Sequence, residues 1–251
     1  MTNGTLHNRN IQLICLPFSG GSGFAFQPLI DHFPKSWEIL TLTYPGRGHR
    51  IVEPLTHTME HLLEDSWQQI RKRLRPPYVL FGHSLGSTLA FLLAHKIKEE
   101  RKTEPSHLIL SGTDGPSVPN KKPFRYLFSK KDFKAKLHSY GGISPEILSS
   151  DDAFNFFEPI IRADFQVVET WKYQKKMPLN IPATVITGTE ENMTLEEIAT
   201  WQQEFKRLIS FKKMKGNHFF LFEQPILFTK LIQREINQSL KYTSNGMKKR
   251  F

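Results

Sequence analysis

Cysteine is nearly absent from this chain of 251 residues, because Cys15 is its one thiol. An intramolecular disulfide is therefore excluded, and the apolar run at residues 11–16 predicts that Cys15 is a buried strand residue. Long hydrophobic runs are missing too. The longest, Leu89–Ala94, is far too short to cross a bilayer, and Met1–Asn10 lack the apolar stretch of a secretion signal. We expect a cytoplasmic protein with no membrane span.

Acidic side chains are fewer than basic ones. The chain has 24 Asp and Glu residues and 34 Lys and Arg residues, which gives a formal net charge of +10. Such an excess fits nucleic acid, an anionic surface or an acidic protein partner. The basic residues are dispersed in short clusters, however, and none forms the long run interleaved with aromatic residues of a nucleic-acid-binding module. We expect no nucleic-acid partner. The polar, basic tail at about 241–251 has no periodicity and is predicted to be disordered.

No linker rich in proline, glycine and serine divides the chain, so residues 1–251 are predicted to form a single α/β domain. Short apolar segments alternate with longer amphipathic ones, which favours a mostly parallel sheet with helices on both faces. The strand candidates are Gln12–Leu16, Glu38–Leu42, Tyr78–Phe81, His107–Leu110, Ala183–Thr187 and Ser210–Met214. The helix candidates, with apolar residues three and four apart, are Met59–Leu74, Leu85–Glu100, Leu195–Phe205 and Pro225–Leu240.

One long segment breaks this alternation. Between the strand ending near Ser111 and the strand beginning at Ala183, residues from about 120 to 177 predict several helices and no strand. We interpret this segment as an inserted helical lid above the carboxyl edge of the strands, where open α/β sheets bind ligands. Its aromatic residues either line an acyl pocket or only pack the lid on the sheet. They are Phe154, Phe156, Phe157, Phe165 and Trp171.

The pentapeptide Gly-His-Ser-Leu-Gly at Gly82–Gly86 follows an apolar strand candidate and opens a helix candidate, which is the layout of a nucleophile elbow. A sharp turn from strand to helix strains the serine backbone, and glycines two residues away on either side avoid collisions there. Ser84 is therefore the candidate nucleophile. The alternative is a tight turn without chemistry.

A serine hydroxyl needs a general base and a third group that orients the base. In this class of fold the order along the chain is serine, acid, histidine, and His218 directly follows the last strand candidate. We assign His218 as the base. For the acid we favour Glu191, in the loop after the fifth strand candidate, over its rival Asp114, in the loop after the fourth.

Negative charge on the carbonyl oxygen of the transition state needs backbone N–H donors, and Leu85, directly after the nucleophile, is expected to supply one. We assign the second donor to Ser19, with Phe18 as second choice, in the glycine-rich loop after the first strand. That loop lacks the motifs of a phosphate-binding loop. His57 and His61 stand four residues apart, but Thr58 replaces the glutamate of a zinc helix. We therefore expect neither a metal nor a cofactor.

These residues, taken together with further motifs, resemble the type II (external, editing) thioesterases of nonribosomal peptide and polyketide synthases, within the α/β-hydrolase superfamily. The resemblance covers nearly the whole chain and includes two specific elements, Pro-Gly-Arg-Gly at 45–48 and Arg-Ala-Asp-Phe at 162–165. Three positions depart from the family pattern: Ser19 replaces a more usual alanine, Glu191 an aspartate, and Asp114 an often basic residue. The other matching segments are Leu16–Ser22, Gly82–Gly86, Tyr140–Ile143 and Gly216–Phe220.

The resemblance implies an α/β-hydrolase fold and hydrolysis of acyl thioesters on the phosphopantetheine arm of carrier domains, so that a stalled synthase resumes. Phosphopantetheine would enter only as part of the substrate, and acyl or peptidyl carrier domains would be the partners. Carrier domains are commonly acidic, which suits the positive net charge. Two alternatives remain: a thioesterase or carboxylesterase acting on free acyl-coenzyme A or medium-chain acyl esters, and an inactive hydrolase-fold partner of a synthase.

Overall fold

The computed structural model describes residues 10–120 and 123–247, with the side chains of 242–247 excepted. Six parallel strands form one sheet in the order β2-β1-β3-β4-β5-β6. The predicted parallel sheet is therefore confirmed, and each strand lies within two residues of its predicted bounds. The strands are β1 (Gln12–Leu16), β2 (Glu38–Thr41), β3 (Tyr78–His83), β4 (His107–Ser111), β5 (Ala183–Gly188) and β6 (Ser210–Met214).

Helices cover both faces of the sheet, and the helices in chain order are α1 (Gln27–Ile30), α2 (Met59–Ile70), α3 (Leu85–Glu99), α4 (Lys130–Tyr140), α5 (Pro145–Ser149), α6 (Asp151–Thr170), α7 (Leu195–Ala199), α8 (Phe220–Glu223) and α9 (Pro225–Met247). Hydroxyl side chains cap several of their N-termini. Thr58 accepts a hydrogen bond from the His61 N–H at the start of α2, and Thr194 forms a capping box with Glu197 at the start of α7.

The strands divide their side chains between two hydrophobic cores, because successive residues of a strand point to opposite faces. In β1, Ile14 and Leu16 pack with α2 and α3, whereas Leu13 and Cys15 pack with α1 and α9 on the other face. Cys15 is buried, as predicted, and its burial raises the pKa of the thiol. A third, smaller core lies inside the segment between β4 and β5 and includes Phe133 and Phe154.

The segment between β4 and β5 is helical, as predicted. It contains a 3₁₀ turn at Arg125–Leu127 followed by α4, α5 and α6, and its own core makes it a separate layer above the sheet. Serine side chains cap all three helices. We keep the name lid for residues 123–177.

Three of the predicted helices differ from the structure by more than one residue. Helix α2 ends at Ile70 rather than Leu74, and nothing in the structure explains this earlier end, since Pro76 restricts only Arg75 directly. The predicted helix 195–205 consists of α7 and a 3₁₀ turn at Thr200–Glu204. Helix α9 continues to Met247 without an interrupting proline, so residues 241–247 of the tail predicted to be disordered are helical. Residues 248–251 of that tail lie outside the described residues. So do residues 1–9, for which the sequence predicts no secretion signal.

Candidate active site

Ser84 lies at a sharp turn between β3 and α3, with φ 56° and ψ −120°, a conformation that costs a non-glycine residue free energy. The two flanking glycines make the turn possible. A Cβ at Gly82 would lie 2.0 Å from the Gly86 carbonyl oxygen, and a Cβ at Gly86 would lie 2.0 Å from the Leu16 carbonyl oxygen. Each clash would be with backbone, which cannot move aside. The Gly-His-Ser-Leu-Gly segment therefore has the geometry of a nucleophile elbow.

Hydrogen bonds hold this turn against the neighbouring strand. The Ser84 N–H donates to the Ser111 carbonyl oxygen at 2.7 Å. The buried Ser87 hydroxyl accepts from the Ser111 N–H at 2.8 Å and lies 2.8 Å from the carbonyl oxygens of Gly82 and Ser111. These bonds satisfy backbone groups that the turn leaves without helix or strand partners, so the strained conformation is fixed from both sides.

His218 and Glu191 form a close pair. Nδ1 of His218 lies 2.6 Å from Oε1 of Glu191, and the Gly188 N–H donates to Oε2 of the same carboxylate at 2.7 Å. The Glu191 side chain is 5% exposed and the His218 side chain 16%. The carboxylate is thus anchored at one oxygen and faces the imidazole with the other. This arrangement fixes the ring orientation and the tautomer with Nδ1 protonated and Nε2 free to accept a proton.

The rival acid, Asp114, lies in the loop after β4 and lines the same cavity as His218. Its Oδ1 is 3.4 Å from the Thr113 hydroxyl, which is a long hydrogen bond. Because the Glu191 carboxylate already occupies the Nδ1 side of His218, the geometry favours Glu191 as the orienting acid.

A buried histidine that the sequence reasoning passed over supports the site from below. His83 precedes Ser84, its Nδ1 lies 3.0 Å from the Ser111 hydroxyl, and its ring centroid is 4.9 Å from that of His218. Burial, followed by the proximity of His218, holds the pKa of His83 well below its usual range, so this ring stays neutral. The sequence signal was a histidine inside the elbow motif itself.

The predicted oxyanion donors face the same space as Ser84. Phe18, Ser19 and Leu85 line one cavity with Ser84 and His218. Within the described part of the chain, the N–H groups of Ser19 and Leu85 donate no hydrogen bond to a protein acceptor. Two free N–H groups beside a serine hydroxyl can stabilise an oxyanion that forms there.

The two specific motifs of the sequence meet in a buried ion pair. Arg47, from Pro-Gly-Arg-Gly, binds Asp164, from Arg-Ala-Asp-Phe, through both of its terminal nitrogens, with Nη2 2.7 Å from Oδ1. Their side chains are 5% and 2% exposed. Asp164 also accepts the Gly20 N–H at 2.7 Å. Sequence reasoning found both motifs but gave neither residue a role, because the two lie 117 positions apart.

A cavity of about 750 Å³ extends from Ser84 beneath the lid, large enough for a sizeable acyl group. All seven candidate residues line it, and the lid contributes apolar side chains from α4, α5 and α6. Of the five aromatic residues proposed for a pocket, Phe157 and Phe165 line the cavity. Phe154 packs in the lid core, Phe156 is 56% exposed, and Trp171 packs on the core below.

The described residues offer neither a metal-binding cluster nor a membrane-spanning helix. Among residues 10–120 and 123–247, no group of three or more His, Cys, Asp or Glu side chains is arranged to hold a metal ion. His57 and His61 are exposed, and His57 contacts Gln166 at 3.0 Å. In the same part of the chain, no helix is both long and apolar enough to span a membrane.

A parallel sheet with an elbow serine, a helical insertion and a histidine paired with an acid defines an α/β-hydrolase fold, the class of the serine hydrolases. Solved structures of this fold match the chain over most of its length. ClbQ, from the colibactin NRPS/PKS pathway, gives a TM-score of 0.86 at 26% identity and covers 93% of this chain and 100% of its own. BorB, a type II thioesterase from the borrelidin biosynthetic cluster, gives 0.83 at 28% identity over 90% of this chain and 93% of its own.

Sequence comparison gives the family. Residues 11–236 match the thioesterase domain family, so the chain belongs to that family and is an enzyme that hydrolyses thioesters. The gramicidin S biosynthesis protein GrsT of Aneurinibacillus migulanus is 31% identical over 215 residues, which are 85% of this chain and 84% of that protein. The thioesterase PikA5 of Streptomyces venezuelae is 29% identical over 86% of this chain and 78% of its own.

Proposed function

We propose that this enzyme is an external thioesterase of a nonribosomal peptide or polyketide synthase. It removes acyl groups from the phosphopantetheine arm of carrier domains and so returns a blocked carrier to use. The observation that carries the proposal is the pairing of His218 with Glu191 at 2.6 Å, in a cavity that also exposes Ser84 at its elbow. We propose that the enzyme is located in the cytoplasm together with such a synthase.

In the proposed reaction His218 takes the proton of the Ser84 hydroxyl through Nε2, and Oγ attacks the thioester carbonyl carbon. The carbonyl oxygen gains negative charge and accepts hydrogen bonds from the N–H groups of Leu85 and Ser19. Glu191 stabilises the imidazolium that forms while remaining ionised itself. The C–S bond then breaks, the proton on His218 passes to the sulfur, and the free thiol of the phosphopantetheine arm departs.

The second half of the reaction regenerates the enzyme. Water enters, His218 removes one of its protons, and the resulting nucleophile attacks the acyl-Ser84 ester at the same carbonyl carbon. The same two N–H groups donate hydrogen bonds to the second oxyanion. Collapse breaks the C–Oγ bond, His218 returns the proton to Ser84, and the carboxylic acid leaves. No cofactor takes part in this scheme, since phosphopantetheine belongs to the substrate.

The proposed substrate class rests on the relatives. GrsT is named for gramicidin S biosynthesis, and ClbQ comes from a colibactin NRPS/PKS pathway. The match covers 84% of GrsT and 100% of the ClbQ chain, which supports a function in common with them. Carrier domains with wrongly loaded or stalled acyl groups are therefore the proposed substrates.

The decisive experiment measures hydrolysis of a panel of acyl-loaded carrier domains by the wild-type enzyme and by Ser84→Ala. We expect the wild type to release acyl groups. The hydrolysis rate of Ser84→Ala should be only slightly above the uncatalysed rate. A fluorophosphonate probe should label the wild type and leave Ser84→Ala unlabelled. A wild type that neither reacts with the probe nor hydrolyses any thioester would instead match an inactive partner of a synthase.

A second candidate function is hydrolysis of medium-chain acyl thioesters. Two medium-chain S-acyl fatty acid synthase thioesterases, from Rattus norvegicus and Anas platyrhynchos, are 26% and 27% identical to the chain. The apolar side chains that the lid contributes to the cavity suit an alkyl chain. Comparing kcat/KM for acetyl- and decanoyl-carrier, decanoyl-coenzyme A and p-nitrophenyl decanoate separates the candidates. Editing predicts that both acyl-carriers react faster than the coenzyme A and p-nitrophenyl esters. A preference for the decanoyl thioesters, on carrier and coenzyme A alike, would indicate a medium-chain thioesterase, and a preference for the p-nitrophenyl ester a carboxylesterase.

A further inference from the structure

The loop that bears Ser19 is a tight turn with a defined direction. The Gly21 N–H donates to the Phe18 carbonyl oxygen at 2.9 Å, and Gly20 has φ +82°, as the third position of a type II turn requires. The Phe18 carbonyl and the Ser19 N–H belong to one planar peptide and point in opposite directions. Because the carbonyl points into the turn, the Ser19 N–H points out of it.

This turn is held from outside at three places. The Tyr44 hydroxyl donates to the Pro17 carbonyl oxygen at 2.8 Å, ahead of the turn. The Gly20 N–H donates to Asp164 at 2.7 Å, and a terminal nitrogen of Arg47 approaches the Gly21 carbonyl oxygen at 3.5 Å. The last two contacts come from the two members of the buried ion pair. The ion pair thus clamps the peptide groups that directly follow Ser19.

The ion pair also joins three separate parts of the fold. Arg47 lies in the loop after β2, whereas Asp164 lies on α6 of the lid. One turn earlier on α6, Ile161 packs on the loop so closely that a Cβ at Gly20 would lie 2.9 Å from its Cγ1. The loop is therefore fixed to the lid helix that lines the acyl cavity as well as to the sheet.

We propose that the Arg47–Asp164 pair is a positioning device for the oxyanion hole. Asp164 holds the Gly20 N–H, Arg47 holds Asp164, and together they keep the Ser19 N–H aimed at the space beside Ser84. This inference rests on the proposed role of Ser19 as an oxyanion donor. A buried ion pair is weak evidence for stability, because apolar residues of similar volume often serve as well. The contact with Gly20 gives the pair a function that apolar residues could not replace.

Two variants remove the contact in different ways. Asp164→Asn keeps the volume but removes the charge that Arg47 and the Gly20 N–H share. The double variant Arg47→Met with Asp164→Leu leaves no buried charge but offers Gly20 no acceptor. We expect each to lower kcat about 100-fold while KM changes less than about threefold, since an oxyanion donor acts mainly in the transition state.

The matched control lies on the same helix. Glu158→Gln removes one charge of the ion pair between Glu158 and Arg162. The Arg162 side chain is 22% exposed and the Glu158 side chain 17%, and neither residue lines the cavity. We expect its kcat and KM to equal those of the wild type. A boronic acid that forms a tetrahedral adduct on Ser84 gives a second readout. Its affinity should fall with kcat in the two test variants, whereas affinity for the carboxylic acid product should not change.

Folded test variants with wild-type kcat and boronate affinity would overturn the proposal. If neither variant folds, hydrogen exchange in the wild type decides, since a Gly20 amide that exchanges as fast as an exposed loop amide contradicts the clamp and a protected one supports it. Failure of the carrier-domain function is a separate result. It would appear as a wild type inactive on acyl-carriers whose boronate affinity still depends on Asp164.

Discussion

At the scale of single residues, the proposed acid of the site is a glutamate, Glu191, where the resemblance to type II thioesterases implies an aspartate. Glutamate is one methylene longer than aspartate, and a carboxylate displaced by about 1 Å costs roughly 100-fold in rate unless the loop compensates. The loop after β5 does compensate, because the Gly188 N–H binds one oxygen of Glu191 and leaves the other 2.6 Å from His218. The hydrogen bond from the Gly188 N–H therefore places the longer glutamate side chain within hydrogen-bond distance of His218.

The sequence limits the candidates for the acid to Glu191 and Asp114. It contains no geometric information that would separate the two. Strands β4 and β5 are neighbours in a parallel sheet, so the loops that follow them lie at the same edge. Both carboxylates therefore line the cavity. Only the side-chain contacts separate them, and those depend on the Gly188 N–H, which no sequence pattern reveals.

The first prediction concerns this choice. Glu191→Gln should lower kcat by about 10³- to 10⁴-fold, because an amide no longer stabilises the imidazolium and can favour the wrong tautomer. Asp114→Asn should change kcat less than about tenfold. Steady-state hydrolysis of one acyl-carrier by both variants tests the ranking, with melting temperatures as the check on folding. The opposite ranking would transfer the role to Asp114.

At the scale of elements, the strands were predictable and the contacts between distant loops were not. Most strands lie close to their predicted bounds because they are short apolar runs with turn residues around them, whereas the edge strand β6, Ser-Phe-Lys-Lys-Met, is only partly apolar. The order Ser84, Glu191, His218 likewise follows from strand ends. The Arg47–Asp164 pair was out of reach, since nothing local says that a loop after β2 meets a lid helix. Helix ends such as Ile70 were also not predictable, because the apolar pattern continues to Leu74 although the helix does not.

The second prediction tests the elbow as an element. Gly86→Ala should prevent normal folding, because the new Cβ would lie 2.0 Å from the Leu16 carbonyl oxygen, a contact that requires β1 and α3 to separate. Gly48→Ala is the matched control. Its φ of +55° strains an alanine, but its nearest neighbour would be 3.4 Å away, so it should cost only about 1–2 kcal/mol. Urea unfolding of both variants measures the difference; equal costs would contradict the steric account.

At the scale of the whole molecule, a buried polar network joins the sheet to the last helix. Nδ1 of His107 in β4 lies 2.6 Å from the Ser239 hydroxyl on α9, and Nε2 lies 2.9 Å from the Thr184 hydroxyl in β5. Burial lowers the pKa of His107 from 6.5 to about 4, although Glu235 nearby opposes the shift. The imidazole is thus neutral in the folded enzyme at neutral pH.

The third prediction follows from that pKa. Unfolding exposes His107, which then binds a proton below about pH 6.5, whereas the folded enzyme resists protonation down to about pH 4. The stability of the fold should therefore fall as the pH drops through this window, with about 3 kcal/mol from His107 alone. His107→Gln should reduce the pH dependence of the free energy of unfolding between pH 7 and pH 4, and the remaining slope includes the buried His83 and His95, whose pKa values are also lowered by burial. A variant with the wild-type slope would contradict the burial of a neutral His107.

The last prediction concerns the net charge of +10, which has no place in the catalytic geometry. If the partner is an acidic carrier domain, the positive surface speeds encounter, and salt should weaken this effect because the screening length falls from about 30 Å at 0.01 M to about 3 Å at 1 M. We expect kcat/KM for an acyl-carrier to fall about tenfold between 0.02 M and 0.5 M NaCl, mainly through KM. The same acyl group on N-acetylcysteamine, an uncharged thiol, is the control and should show little change. Equal salt effects on both substrates would mean that salt acts on the active site, and the charge would then have no role in carrier recognition.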